Sequence, residues 1–178
     1  MTLDPEEINK RAANIKLIGL DNDGVLTDCR SYISTDGSEA KSYNIKDGFG
    51  LVIGKRAGLI FAIITGAKSS IVEKHAQKYQ ITEVHQGFES KGEILKGIMD
   101  RNNLTPAQTA FIGDDIFDLP ALKIVGLSAA PADAHEDVKS QVHWISKYNG
   151  GRGAVREFIE LILKARGLWS ELEKFYTA

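Results

Sequence analysis

Runs of apolar, β-branched residues alternate with segments of helical period almost to the C-terminus. Residues 15–20 (IKLIGL) predict a buried strand, and residues 59–64 (LIFAII) and 110–112 predict two more. Shorter strands are expected at 83–85, 127–129 and 142–145. Helical spacing falls between them, at about 49–56, 69–78, 92–102, 118–125 and 154–166. A further short helix precedes the first strand, with Asp4 as N-cap and Pro5 at its first position. Thr105 and Gln108 form a T-x-x-Q capping box that starts another short helix.

The strands read as continuous apolar runs instead of alternating in and out, which is the pattern of a parallel sheet covered on both faces. With right-handed crossovers this gives an α/β fold of the three-layer, doubly wound, Rossmann-like kind. One stretch breaks the rhythm. Residues 30–44 carry two short strand-like runs around Asp36-Gly37, a strong turn signal, so a β-hairpin inserted after the first strand is expected. No internal repeat, linker or low-complexity segment interrupts the chain, and residues 1–178 are expected to form one domain. The tail from about 167 to 178 is amphipathic and is expected to pack on the body or on a partner subunit.

Composition narrows the class. A chain of 178 residues, 43% hydrophobic and 26% charged, is long enough for a sizeable core. Its 22 basic and 24 acidic residues leave a net charge of −2, which provides no general field for nucleic acid or an anionic membrane. The single cysteine, Cys29, cannot pair internally and fits a reducing cytoplasm. The polar start MTLDPEEINKRAANIK is unlike a signal peptide, and the longest apolar run, 58–64, is far short of the ~20 residues that span a bilayer. A cytoplasmic protein with neither membrane nor nucleic-acid partner is expected.

In open α/β sheets, ligands bind beyond the carboxyl ends of the strands. The first strand ends in Asp21-Asn22-Asp23-Gly24-Val25-Leu26-Thr27-Asp28, the second in Thr65-Gly66, and the third in Gly113-Asp114-Asp115, with Asp118 following. A lone D-x-D pair is common in turns, but D-x-D-G-x-x-T-D arises by chance in roughly one chain in ten thousand. A calcium loop is excluded, because one with Gly24 at its sixth position would begin at Gly19 instead of an aspartate. Magnesium prefers octahedral oxygen ligation with a few carboxylates. Asp21 and Asp114 would supply these, Asp115 would ligate or hold a metal-bound water, and Asp23 is counted as a further candidate ligand. Asp21 is then a candidate nucleophile on phosphorus. Asp23 lies two residues on and can reach the ester oxygen as general acid and base. Thr65 would donate its hydroxyl and Gly66 its N–H to the phosphoryl group, with Lys91 adding a cation at a helix start.

Asp21-x-Asp23-Gly24-x-x-Thr27-Asp28, Thr65-Gly66, Lys91 and Gly113-Asp114-Asp115-x-x-Asp118 resemble the four motifs of the haloacid dehalogenase superfamily. The aspartate two after the nucleophile is similar to its phosphatases and unlike its dehalogenases. Within it, the segments 43–50 (YNIKDGFG), 132–135 (ADAH) and 150–157 (GGRGAVRE) resemble the 3-deoxy-D-manno-octulosonate 8-phosphate phosphatases. The resemblance runs from about 16 to 167. It implies a capless, magnesium-dependent phosphomonoesterase acting on a sugar phosphate through an aspartyl-phosphate. It also implies a homotetramer in which the hairpins associate and a neighbour's elements help to close each site. Arg152 would lie near the acidic sugar, and Lys46 and Asp47 would face it. The histidines show no metal spacing and are expected to be packing or surface residues, with His135 the exception to watch.

One position departs from the pattern. After Thr65-Gly66 the octulosonate phosphatases commonly carry arginine and the related nonulosonate 9-phosphate phosphatases glutamate, whereas this chain has Ala67, with Lys68 next to compensate. The alternatives are therefore the same chemistry on a nonulosonate phosphate, or a non-catalytic assembly module. The intact aspartates and lysine argue against the module. A P-loop hydrolase is excluded because G-x-x-x-x-G-K-[ST] does not occur.

Overall fold

In a computed structural model, which describes residues 3–87 and 90–177, six parallel strands form one twisted sheet. They are β1 (Leu17–Leu20), β4 (Ile60–Thr65), β5 (Glu83–Gln86), β6 (Thr109–Ile112), β7 (Leu127–Ala130) and β8 (Trp144–Ile145), in the order β5-β4-β1-β6-β7-β8. The remaining two strands, β2 (Thr27–Ile33) and β3 (Glu39–Tyr43), pair antiparallel as the expected hairpin. Asp36 and Gly37 make its turn, with Gly37 at φ 82° and the Ser38 N–H donating to Asp36 Oδ1 at 2.9 Å.

β1 sits between β4 and β6, so the strand order runs outward in both directions from it. That is the switch point where an open sheet parts to leave a crevice at the strand ends. All four residues of β1 are buried, because helices cover both faces. On one face the core includes Ile18, Leu20, Ile63 and Phe158, and on the other Leu17, Ile64, Leu95 and Phe111. The helix α7 (Ala154–Ala165) buries Val155, Phe158, Ile159, Ile162 and Leu163, one helical stripe. Each such side chain contributes about 1.5–3 kcal/mol on burial.

The other helices are α1 (Pro5–Ala12), α2 (Ile45–Arg56), α3 (Ser70–Lys78), α4 (Lys91–Arg101), α5 (Leu119–Leu122), α6 (Glu136–Lys139) and α8 (Trp169–Thr177). Asp4 caps α1 with Pro5 in its first turn, and the Thr105–Gln108 box starts a 3-10 turn at Pro106–Gln108.

Several boundaries differ from expectation. The helix α2 begins at Ile45, four residues before the expected start, because Asn44 caps it by accepting from the Lys46 N–H at 2.8 Å. Three glycines had weakened its helical signal. Two of them are imposed by packing: a Cβ at Gly48 would overlap the Tyr79 hydroxyl, and one at Gly54 the Phe61 ring. The helix expected over 118–125 is a 3-10 turn, Ile116–Asp118, followed by the single turn of α5. The last strand is only two residues long. The short α6, unread in the sequence, is capped by His135. The tail forms α8, which packs on the body of its own chain through the buried Leu172, with Phe175 under Arg56 at 3.8 Å. Among the described residues, no helix is long and apolar enough to cross a membrane.

Candidate active site

The chain leaves β1 at Asp21 and turns sharply through residues 22–26. Gly24 makes the turn possible: its φ is 92°, and any Cβ there would strike the Asp114 carboxylate. The loop therefore presses against the end of β6. One carboxylate oxygen from each of Asp21, Asp114 and Asp118 lies within 4.8 Å of the others. Lys91, the first residue of α4, enters the cluster from the side. Its Nζ donates to Asp21 Oδ1 at 2.5 Å and to Asp118 Oδ1 at 2.6 Å. Asp118 Oδ2 accepts the backbone N–H of Asp114 at 2.8 Å and of Asp115 at 3.2 Å, so Asp118 also braces the loop that carries Asp114.

Three carboxylates around one ammonium leave surplus negative charge in a buried place. Asp21 is pushed up to about 7, first by burial and then by the Asp118 charge, with Lys91 pulling the other way. Asp114 is pushed up to about 8 by burial, with Asp21 and Asp118 adding to it. A cluster of oxygen donors that cannot all ionise comfortably alone fits a hard divalent cation such as magnesium, which would relieve both the desolvation and the repulsion. Asp21 and Asp114 are the residues best placed to hold it, with Asp118 behind them.

These residues line a cleft of about 480 Å³ that also takes in Asp23, Thr65, Gly66 and Ala67. Thr65, at the end of β4, is buried. The Asp23 carboxylate faces the hairpin, where Lys41 Nζ donates to its two oxygens at 2.7 and 2.8 Å. With that partner, the Asp23 carboxylate stands outside the close group of Asp21, Asp114 and Asp118, although it lines the same cleft. Asp115 also lines the cleft; its Oδ1 caps the Ile116 N–H at 2.6 Å, and Asp118 is the third carboxylate close to Asp21 and Asp114.

The expected sugar-binding residues are more dispersed. Asp47 is 1% exposed and does not face a ligand cleft. Its oxygens accept the N–H groups of Gly153 at 3.0 Å and Arg156 at 2.7 Å, which ties α2 to the start of α7. Lys46 and Arg152 line a separate hollow of about 740 Å³ between α2 and α7, and Arg152 pairs with Asp28 at 3.0 Å. Lys68 is exposed, and its stem lies across Gly87 on the edge of a groove with Ser69 and Glu73. Gly87 lines the catalytic cleft together with Ala67, so the Lys68 stem runs along the rim of that cleft. His75 is a packing residue, stacked on Tyr43 at 3.7 Å, and burial pulls it down to about 4. His135 donates its backbone N–H to the Asp114 carbonyl at 2.8 Å.

Two residues of the site were not read from the sequence. Asp118 was noted without a role; its spacing of four from Asp114 was the available signal. Lys41 gave none beyond its place on a hairpin strand.

A family model of haloacid dehalogenase-like hydrolases matches residues 55–159. The 3-deoxy-D-manno-octulosonate 8-phosphate phosphatase KdsC of Escherichia coli K12 is 37% identical over 165 residues, 93% of this chain and 88% of its own length. The crystal structure of the phosphatase of that name from Yersinia pestis matches with a TM-score of 0.91 at 38% identity, over 93% of this chain and 89% of the other. Its counterpart from Moraxella catarrhalis, in complex with magnesium, phosphate and KDO, matches with a TM-score of 0.92 at 35% identity, over 96% and 98% of the two chains. By sequence and by fold alike, the chain belongs to the haloacid dehalogenase-like hydrolases.

Proposed function

We propose that this protein is a magnesium-dependent phosphomonoesterase that hydrolyses 3-deoxy-D-manno-octulosonate 8-phosphate to the free sugar acid and phosphate. The observation that carries the reading is the Asp21 carboxylate, held by Lys91 beside Asp114 and Asp118, at the floor of a cleft that Asp23 lines. Similarity to phosphatases of that name over nine-tenths of the chain supports the substrate.

When bound, magnesium supplies positive charge that neutralises a phosphate oxygen and orients the group for in-line attack. An Asp21 oxygen attacks phosphorus, and the bond from phosphorus to the sugar oxygen breaks, leaving an aspartyl-phosphate. Asp23 gives its proton to the departing oxygen. It then takes one from the water that attacks the aspartyl-phosphate, which frees phosphate and restores Asp21. The Thr65 hydroxyl and the Gly66 N–H donate to the phosphoryl oxygens as charge builds on them. Lys91 keeps Asp21 aligned and ionised.

Ala67 lines the cleft where the related groups commonly carry arginine or glutamate, so substrate choice is read by direct competition. Turnover of the octulosonate 8-phosphate and a nonulosonate 9-phosphate, side by side with magnesium, should favour the eight-carbon compound. A preference for the nine-carbon one would replace the substrate but not the chemistry. Asp21→Asn should abolish both activities, and near-normal turnover in that variant would end the proposal.

The whole chain is read as one cytoplasmic domain that assembles into a homotetramer through the hairpin. Tyr32 and Ile33 support this: they stand 55% and 76% exposed on β2 and want a cover. Light scattering that returned a monomer would remove the assembly.

A further inference from the structure

The hairpin does more than project from the fold. Lys41 and Tyr43 stand two apart on β3, so their side chains leave the strand on the same side, towards the loop after β1. Tyr43 donates its hydroxyl to Asn22 Oδ1 at 2.9 Å, and its ring is stacked on His75. Lys41 reaches the next residue of that loop, Asp23, with both carboxylate oxygens inside hydrogen-bond distance. The Lys41 side chain is 7% exposed, although most of the hairpin is open to solvent. Lysines are seldom buried so far without a specific partner.

The two oxygens of Asp23 are not equivalent. Oδ1 also accepts from Asn22 Nδ2 at 3.0 Å and lies 3.4 Å from Thr27 Oγ1. Among the described residues, Oδ2 receives a hydrogen bond from Lys41 alone. A carboxylate oxygen has two lone pairs. Oδ1 is therefore fully engaged, while Oδ2 keeps one pair for a reacting proton and depends on Lys41 for its direction.

We infer that Lys41 is a positioning residue for the reaction: from the hairpin it fixes the plane of the Asp23 carboxylate, so that Oδ2 exchanges protons with the ester oxygen from one geometry. This rests on the reading of Asp23 as general acid. The hairpin thus contributes to the chemistry of its own chain, independently of any role in assembly.

The test turns on leaving groups. Protonation matters for an alkoxide leaving group and little for p-nitrophenolate, which departs readily without it. We would measure kcat/KM, which reports the first phosphoryl transfer, on octulosonate 8-phosphate and on p-nitrophenyl phosphate, with magnesium. General acid catalysis is worth about 10²–10⁴-fold. Asp23→Asn should fall by that order on the sugar phosphate and by far less on the aryl ester. Lys41→Met should show the same skew at smaller amplitude, about 10–100-fold on the sugar phosphate and within about threefold on the aryl ester. Lys41→Arg should recover most of the loss. Ser31→Ala removes a hydrogen bond to Glu39 across the same hairpin and touches neither Asn22 nor Asp23, so it should leave the ratio of the two activities unchanged. Lys41→Gln loses the charge and keeps two N–H donors on a shorter side chain, and it should show the skew if the methionine variant does not fold. Equal losses on both substrates, or no loss, in the Lys41 variants would overturn the inference while Asp23→Asn still discriminates. If Asp23→Asn itself fails to discriminate, the general-acid reading falls and the positioning role falls with it.

Discussion

Replacing Lys91 by methionine keeps most of the buried stem and removes its charge. The Nζ bridges Asp21 and Asp118, and the three side chains are only 1–7% exposed. Breaking a buried pair by removing one partner costs about 3–5 kcal/mol, because the remaining charge stays desolvated. Here the penalty should sit near the lower end at acid pH, since Asp21 is already raised to about 7 and can take a proton in place of the ammonium. For a chain of this size each kcal/mol moves Tm by about 2–4 °C. The metal-free variant should therefore melt about 6–20 °C below the parent at pH 8, and by clearly less at pH 5.5. The direction with pH follows from the raised carboxyl. The folded state holds a proton that the unfolded aspartate releases near its ordinary value, so stability falls as pH rises towards the folded value. Circular dichroism melts in chelator at the two pH values provide the measurement. A loss below about 2 °C at pH 8, or an equal loss at both, would refute the electrostatic account of the cluster.

The same surplus charge predicts that the metal-free parent loses stability from about pH 5 to pH 8, through the raised Asp21 and Asp114, and that millimolar magnesium flattens this slope in thermal melts. Asp47→Ala should cost about 2–4 kcal/mol, because two N–H groups at the start of α7 lose a charged acceptor, while KM for the sugar phosphate stays within about twofold. A raised KM with unchanged Tm would return Asp47 to the substrate. Gly24→Ala forces a side chain into left-handed backbone and onto the Asp114 carboxylate, so it should abolish the magnesium-induced rise in Tm, measured in the same melts.

The sheet was legible because its strands are buried on both faces and read as plain apolar runs, from residues 15–20 onward. The hairpin was legible from its Asp-Gly turn. Helix α2 was legible only from residue 49 onward, because its glycines answer to Tyr79 and Phe61, neighbours far away in sequence. The same gap misplaced Asp47, which local spacing could not distinguish from a loop residue facing a ligand. Asp21, Asp23, Thr65, Gly66 and Asp114 could be drawn to one cleft because they follow successive strand ends. That Asp118 joins Asp21 and Asp114 in the close group could not be read this way, because it depends on how a 3-10 turn aims its side chains. Lys41 was illegible for a related reason, since a lysine on an exposed strand carries no local mark of a buried partner.

The central claim is that Asp21 becomes phosphorylated. The direct measurement is to mix the magnesium-loaded protein with excess substrate, quench in acid within milliseconds, digest, and map the phosphoryl group by mass spectrometry. The account predicts an acid-stable, hydroxylamine-sensitive adduct on the peptide that carries Asp21, absent from Asp21→Asn. Full turnover with no adduct at any quench time, or an adduct on a different residue, would contradict it.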